Sequence, residues 1–237
     1  MIKIINIYDN IKCKNDFIDD WGFSCVIQHP NATILFDTGA NPEILRANLE
    51  TASIQISSID IVIISHKHWD HIGGILWIAK ENPNAKIYMP KTWNNKLKNS
   101  LLQHGNSIIS VNNSIQIDDK FSLIFSKNLF INELALTIKT SNGIIVVTGC
   151  SHTGIEKIVS KTLEFSNKNI FALIGGFHMF RSSTRQIKNI ANYLKQSNIK
   201  CIAPCHCTGE RAIQLLTEEF EEKFHTNGVG AEYYFVM

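Results

Sequence analysis

The sequence predicts an α/β fold, and two observations carry this prediction. Short apolar runs of strand length alternate along the chain with segments whose apolar residues recur at helical spacing. Several of these runs lead directly into polar loops that contain histidine, and a helical segment follows each loop. In α/β proteins the reactive groups stand at this position, where a strand ends and a helix begins. We therefore expect a functional site at the ends of the strands.

The first half of the chain is predicted to consist mainly of strands. The apolar runs place them at residues 1–8, 23–29, 33–36, 61–65, 86–89, 107–111, 114–117 and 121–126. Asn41-Pro42 predicts a helix start, because proline is favoured at the first helical position after an asparagine cap. Thr153 and Glu156 have the spacing of a capping box and predict a second helix start.

The second half begins with a predicted hairpin and continues with a repeated pattern. Residues 133–140 and 144–148 are typical of two antiparallel strands turned at Asn142-Gly143. An apolar strand, a loop rich in Gly, Cys and His, and a helix then recur. These strands are predicted at 146–148, 171–174 and 201–203. If they lie beside the 61–65 strand, four strand ends bring their histidines to one edge of a sheet.

Composition and charge exclude several classes of protein. With 237 residues and 44% hydrophobic content, the chain is predicted to be globular, and we expect one domain over residues 1–237. A net charge of +2 is too small to suggest nucleic acid as the main partner, which favours a small-molecule substrate. No apolar run approaches the roughly 18–20 residues of a membrane span, and the N-terminus turns polar too soon for a signal peptide. The six cysteines show no small-domain disulfide framework, so we expect a cytoplasmic protein. The sequence makes no prediction of the oligomeric state.

The most informative segment holds three histidines and one aspartate close together. His66, His68 and Asp70 alternate, so in extended backbone they point the same way, and His71 must point elsewhere. One loop can thus serve two adjacent metal ions. Imidazole nitrogen and carboxylate oxygen suit zinc, and also iron or manganese. The alternative is a solvated polar loop with incidental histidines, which the density of ligand-type residues disfavours.

Three further histidines follow the repeated strands. His206 is the strongest candidate for a ligand from a distant part of the chain. His152 is the next strongest, because it stands two residues after Cys150, so that His152 and Cys150 can face one ion. His178 comes after two glycines and is a candidate for substrate contact, for catalysis or for support of the ligands, with metal ligation as the less favoured alternative. The remaining histidines are expected to be exposed or structural: His29, His104 and His225.

Two cysteines flank His206 in the pattern Cys205-His206-Cys207. If His206 points at the metal, alternation along the strand turns both thiols away from it. We therefore expect Cys205 and Cys207 to pack in the wall of the site rather than to bind metal.

These motifs together resemble the metallo-β-lactamase superfamily over nearly the whole chain. The resemblance is carried by Leu-Phe-Asp-Thr-Gly at 35–39, by His-Lys-His-Trp-Asp-His at 66–71, by His206, and by the closing segment 229–232. It implies a four-layer αββα sandwich with a dinuclear metal site at one edge of its two sheets. It also implies that Asp37 braces the ligand loop. By the resemblance the first cation, most simply zinc, has His66 and His68, and the second has Asp70, His71 and His206.

The sequence departs from the common pattern of this superfamily at one point. Many members carry Thr-Gly-Asp, with a bridging aspartate and a histidine some distance before it, where this chain has Thr148-Gly149-Cys150. No histidine stands in the segment just before. Glu133, Cys150 or His152 is expected to take the missing places.

The phrases Thr-Gly-Cys-Ser-His-Thr-Gly, Gly-Gly-Phe-His and Pro-Cys-His-Cys-Thr-Gly are similar to a narrower branch of the superfamily. That branch is named for an archaeal enzyme that joins a 7,8-dihydropterin to ribofuranosylaminobenzene phosphate. The likeness implies a pterin-type transferase as an alternative activity.

The working hypothesis is a metal-dependent hydrolase of a small cytosolic metabolite. A bound divalent ion lowers the pKa of water from about 15.7 to about 7 and so supplies hydroxide at neutral pH. Asp70 would accept a proton, and His178, or an unligated His152, would protonate the leaving group as a general acid. The alternatives are the dihydropterin-transferring synthase and a non-catalytic, metal-bearing scaffold or sensor.

Overall fold

The computed structural model describes residues 1–93 and 95–237, which form two compact units. Unit 1 comprises the described residues of Met1–Asn112 together with Gly228–Val236. Unit 2 comprises Asn113–Asn227 and Met237. Each unit contains one mixed β-sheet and its own helices. The single domain over 1–237 stays a prediction.

Unit 1 is built on a seven-stranded sheet. Its strands are β1 (Ile2–Tyr8), β2 (Ser24–His29), β3 (Ala32–Phe36), β4 (Ile61–Ile63), β5 (Lys86–Pro90), β6 (Ser107–Val111) and β13 (Glu232–Phe235). They lie in the order β13-β1-β2-β3-β4-β5-β6, antiparallel from β13 to β3 and parallel from β3 to β6. The helices are α1 (Pro42–Thr51), α2 (Trp69–Ile72), α3 (Ile75–Glu81) and α4 (Asn95–Gln103), with a 3₁₀ turn at Ile56–Ser58.

The local signals of unit 1 act as predicted, with one change that bears on the ligand loop. The Asn41 side chain caps α1 by accepting from the Glu43 N–H, and Pro42 occupies the first turn. Strand β4 ends at Ile63, two residues before the predicted end. The Ser65 N–H donates to the Asp37 carboxylate instead of extending the strand ladder. The polypeptide is therefore free to form a loop from that point.

Unit 2 is built on a six-stranded sheet. Its strands are β7 (Ile115–Gln116), β8 (Phe121–Lys127), β9 (Asn132–Thr140), β10 (Gly143–Thr148), β11 (Ile170–Gly176) and β12 (Cys201–Cys205). They lie in the order β12-β11-β10-β9-β8-β7, with β10, β11 and β12 parallel and the others antiparallel. The helices are α5 (Ile155–Ser166), α6 (Thr184–Gln196) and α7 (Glu210–Phe220), with 3₁₀ turns at His206–Thr208 and Glu221–Lys223.

The four histidine-bearing strands do not lie in one sheet, so the condition set for their meeting at one sheet edge is not fulfilled. Strands β10, β11 and β12 are neighbours in unit 2, and their carboxyl ends meet at one edge of that sheet. Strand β4 belongs to the sheet of unit 1, where it pairs with β3 and β5. An apolar run indicates a buried strand but carries no information about which distant strand pairs with it.

Two local predictions for unit 2 are also wrong in detail. Thr140 pairs with Gly143, so the hairpin turns at Ser141-Asn142, one residue earlier than expected. The capping box at the start of α5 does not form, because the Thr153 hydroxyl donates to Glu133 instead.

Two expectations drawn from composition can be compared with the described residues. None of the six cysteines forms a disulfide, and all except Cys13 are buried. No described helix combines the length and the apolar character that crossing a membrane would require.

A buried asparagine ties α1 to the segment that leads into the ligand site. The Asn48 side chain is fully buried, donates to the carbonyls of Ile7 and Ile18 at 2.9 and 2.7 Å, and accepts from the Ile18 N–H at 2.8 Å. Asn48→Leu keeps the branched shape and the number of side-chain heavy atoms but leaves these backbone groups without partners. We expect the free energy of unfolding to fall by about 2 kcal/mol or more, measured by urea denaturation. Glu43→Leu, at an exposed position of the same helix, is the control, and equal losses in the two variants would contradict the assignment.

Candidate metal centre

The ligand loop of unit 1 brings three imidazole rings together. It runs from the end of β4 to α2, and His66 and His71 are fully buried while His68 is partly exposed. The His66 Nε2 and His68 Nδ1 atoms lie 3.0 Å apart. The rings of His66 and His71 have a centroid distance of 4.2 Å, and His71 Nε2 lies 3.8 Å from Asp70 Oδ2, so the assignment of His71 and Asp70 to a second ion stays a prediction. Alternation ends at His68 because the backbone is helical from Trp69 onward.

Asp37 braces this loop through three hydrogen bonds. Its Oδ1 accepts from the Ser65 N–H at 2.7 Å, and its Oδ2 accepts from the Ser65 hydroxyl at 2.6 Å and from His71 Nδ1 at 2.7 Å. The carboxylate is fully buried. These contacts are the ones that the predicted bracing role of Asp37 requires.

The brace also fixes which ring nitrogens are available. The Ser65 hydroxyl proton goes to Asp37, so the 2.9 Å contact between Ser65 Oγ and His66 Nδ1 requires the ring to donate. His71 Nδ1 likewise donates to Asp37. In their neutral form both rings would therefore present an Nε2 lone pair on the side away from the brace, which is the form that binds metals.

Asp70 supplies an oxygen donor to the same group. Its Oδ2 lies 3.8 Å from His71 Nε2 and accepts from the Trp21 indole N–H at 2.9 Å. The indole can only donate, so Trp21 orients the carboxylate without competing as a ligand. No sequence signal identified Trp21, because it stands far from Asp70 in the chain.

This donor set fits a divalent cation. Two nitrogens on a tetrahedral zinc would be about 3.3 Å apart, close to the 3.0 Å between His66 Nε2 and His68 Nδ1. Imidazole nitrogens with one carboxylate oxygen are ligands that zinc, iron and manganese accept.

Unit 2 holds a second group of candidate ligands at the carboxyl ends of β10, β11 and β12. Ligand atoms of Cys150, His152 and His178 all lie within 4.8 Å of one another, and the two rings have a centroid distance of 4.2 Å. The Nδ1 atom of His178 is buried without a hydrogen-bond partner among the described residues. His178 and His206 both have positive φ, 52° and 50°, a backbone strain that functional sites often retain.

Glu133 braces this second group as Asp37 braces the first. Its oxygens accept from the backbone N–H groups of His152 and Thr153 at 3.0 and 2.8 Å and from the Thr153 hydroxyl at 2.6 Å. Burial raises the pKa of Glu133, and these hydrogen bonds oppose the shift. The geometry gives Glu133 a positioning role on the His152 segment, and its prediction as a bridging ligand stays untested.

Cys207 is a candidate metal ligand whose orientation was predicted wrongly from the alternation of side chains along a strand. The strand ends at Cys205, and His206 opens a 3₁₀ turn, so Cys207 does not continue the alternation. Ligand atoms of Cys150, His206 and Cys207 all lie within 4.8 Å of one another. Burial opposes ionisation of Cys207, but its interactions with Cys150, His178 and His206 outweigh burial and hold its pKa well below the usual thiol value. The prediction that its thiol turns away is therefore wrong, whereas Cys205 stays outside both groups.

The other three histidines are structural or exposed, as the sequence predicted. His29 is buried, and its Nδ1 accepts from the Asn31 N–H. His104 and His225 are exposed. None of the three belongs to a candidate ligand group among the described residues.

The fold agrees with what comparison with known proteins finds. Residues 22–160 match the family model described as the metallo-β-lactamase superfamily, and the chain belongs to that superfamily. The predicted recognition and the predicted α/β fold class are thereby confirmed.

Individual relatives point to more than one activity. The chain is 31% identical, over 81% of its length and 80% of the relative, to 7,8-dihydropterin-6-methyl-4-(β-D-ribofuranosyl)-aminobenzene-5'-phosphate synthase of Methanocaldococcus jannaschii. It is 27% identical to a solved metal-dependent hydrolase of the β-lactamase superfamily, with a TM-score of 0.86 and full coverage of both chains. Human tRNase Z, short form, shares the fold at 13% identity, with a TM-score of 0.68 over 99% of this chain and 100% of that one.

The Asp37 brace can be tested through metal affinity. In Asp37→Asn one acceptor oxygen becomes an NH₂ group, which cannot accept from Ser65 or His71. We expect the affinity of the metal-free protein for Zn²⁺ to fall roughly 10- to 100-fold, measured by calorimetric titration. Asp60→Asn, which changes an exposed carboxylate that accepts from the Thr33 N–H at 2.8 Å, is the matched control. Unchanged affinity in Asp37→Asn would refute the bracing role.

Proposed function

We propose that this chain is a metal-dependent hydrolase that acts on a small metabolite. The single observation that carries the proposal is the braced donor set of unit 1, in which two histidines present Nε2 beside a third histidine and an aspartate. Superfamily membership and full-length similarity to a metal-dependent hydrolase support it. The proposed ligands of two divalent cations, most simply zinc, are His66, His68, Asp70, His71, His152 and His206.

The metal and the protein would contribute different parts of the chemistry. When bound, divalent cations activate water and polarise a carbonyl or phosphoryl oxygen. Asp70, whose Oδ2 is held by Trp21, is proposed to accept a proton. His178 is proposed to give a proton to the leaving group, and its ring is partly exposed beside His152 and Phe180. Asp37 and Glu133 are proposed to keep the ligand segments in place.

A second candidate function is a dihydropterin-transferring synthase. The observation that favours it is the 31% identity, over 81% of this chain, to a protein that bears a synthase name. In such a reaction the cations would orient and neutralise a charged leaving group, and no water would attack. The third candidate is a non-catalytic, metal-bearing scaffold or sensor, which would bind metal without turnover. A small-molecule partner and a cytoplasmic location stay proposals.

Loss of single ligands tests the metal requirement. We expect His68→Ala and Asp70→Ala to lose most bound metal and all activity, because each removes a donor from the group in unit 1. Elemental analysis of the purified variants measures the metal directly. His225→Ala, at an exposed histidine outside both groups, should retain wild-type metal and activity. A metal-free variant with full activity would refute the proposal.

A substrate panel separates the candidate activities. We expect the metal-loaded protein to hydrolyse at least one of a set of phosphoesters, lactones and thioesters, and the product is followed by chromatography. Formation of a coupled product from a dihydropterin pyrophosphate and an arylamine ribotide, with no hydrolysis in the panel, would favour the synthase. Metal binding without turnover in either arm would favour the scaffold.

A further inference from the structure

We propose that Cys207, together with Cys150, supplies thiolate ligands to a metal ion in unit 2 beside His206. This inference rests on the proposed function only in that the chain binds a divalent cation. It adds sulfur to a ligand set that otherwise consists of nitrogen and oxygen. The cation class would be the thiophilic divalent ions, such as Zn²⁺, Co²⁺ and Cd²⁺.

The spacing of the three donor atoms suits one ion. The ligand atoms of Cys150, His206 and Cys207 lie within 4.8 Å of one another. Two sulfurs on a tetrahedral zinc would be about 3.8 Å apart, so a small closure of this group reaches ligand distance. Both cysteines are only 3% exposed and His206 is 1% exposed, so the group is shielded from bulk solvent.

The surrounding backbone is shaped to hold the Cys207 sulfur. Its Sγ donates to the Cys150 carbonyl at 3.5 Å. A Cβ at Gly176 would stand 2.7 Å from this sulfur and 2.3 Å from the Gly149 carbonyl oxygen, so only glycine leaves room there.

Gly176 is itself fixed by hydrogen bonds from two hydroxyls. The Ser151 and Thr148 hydroxyls donate to the Gly176 carbonyl at 2.7 and 3.0 Å. The space beside the Cys207 sulfur is therefore part of a hydrogen-bonded structure rather than a loose gap.

The neighbours of these thiols also distinguish them from packing cysteines. His206 joins both sulfurs in one group, and His152 and His178 join Cys150 in another. A cysteine that only fills a core is surrounded by hydrocarbon, whereas these sulfurs lie among nitrogen donors. On binding a cation, each thiol would release its proton to solvent and bind as thiolate.

Cobalt substitution tests the proposal without relying on activity. Metal-free protein is loaded with Co²⁺, and its absorption spectrum is recorded. We expect a near-ultraviolet thiolate-to-cobalt charge-transfer band beside the d–d bands of bound Co²⁺. Cys207→Ser and Cys150→Ser should each lower the charge-transfer intensity about twofold, and the double variant should abolish it. Cys205→Ser, a buried cysteine of the same motif outside both groups, should retain the full band.

The outcomes separate this inference from the proposed function. Bound Co²⁺ with d–d bands and no charge-transfer band in the wild-type protein would overturn the thiolate assignment alone. No uptake of Co²⁺ or Zn²⁺ would overturn the proposed function and this inference with it. If a serine variant fails to fold, the ¹¹³Cd NMR shift of cadmium-loaded wild-type protein decides, because it reports the number of sulfur ligands. A shift typical of nitrogen and oxygen ligands only would refute the proposal.

Discussion

The buried carboxylate of Asp37 is the constraint on which the ligand group of unit 1 depends. A charge removed from water is tolerated only when hydrogen bonds replace the lost hydration, and Ser65 and His71 provide them. The same bonds end β4 at Ile63, turn the following backbone into a loop, and select the donor nitrogens of two rings. One side chain at the end of β3 thus links the strand ends to the chemistry of the loop.

Unit 2 repeats this arrangement with different residues. Glu133, at the start of β9, holds the backbone of the segment that follows β10, the neighbouring strand. In both units an acidic residue on or just after an adjacent strand fixes a histidine-bearing segment. Donor atoms held in this way lose little conformational freedom when a cation binds.

The predictions from the sequence were most accurate for features that depend on residues close together in the chain. The cap and proline of α1, most strand positions and the dense histidine loop depend on neighbouring residues, and the structure agrees with them. Prediction failed where the backbone leaves the extended form, because side chains then no longer alternate between two faces, as at Cys207. It also failed where pairing is non-local, since nothing near β4 shows which sheet receives it. Trp21 was missed for the same reason. Its hydrogen bond to Asp70 joins residues 49 positions apart, and no sequence pattern indicates such a contact.

The two groups differ in the charge that they would place on a cation, and this difference bears on the reaction. Unit 1 offers neutral imidazoles and one carboxylate, whereas the proposed group of Cys150, His206 and Cys207 would bring two thiolate charges. A cation held mainly by neutral ligands keeps more of its positive charge for water or for a substrate oxygen. Thiolate ligands instead favour retention of a soft ion. The donors of unit 1 are therefore better suited to activating the reactants, and the sulfur-rich group is better suited to keeping its metal bound.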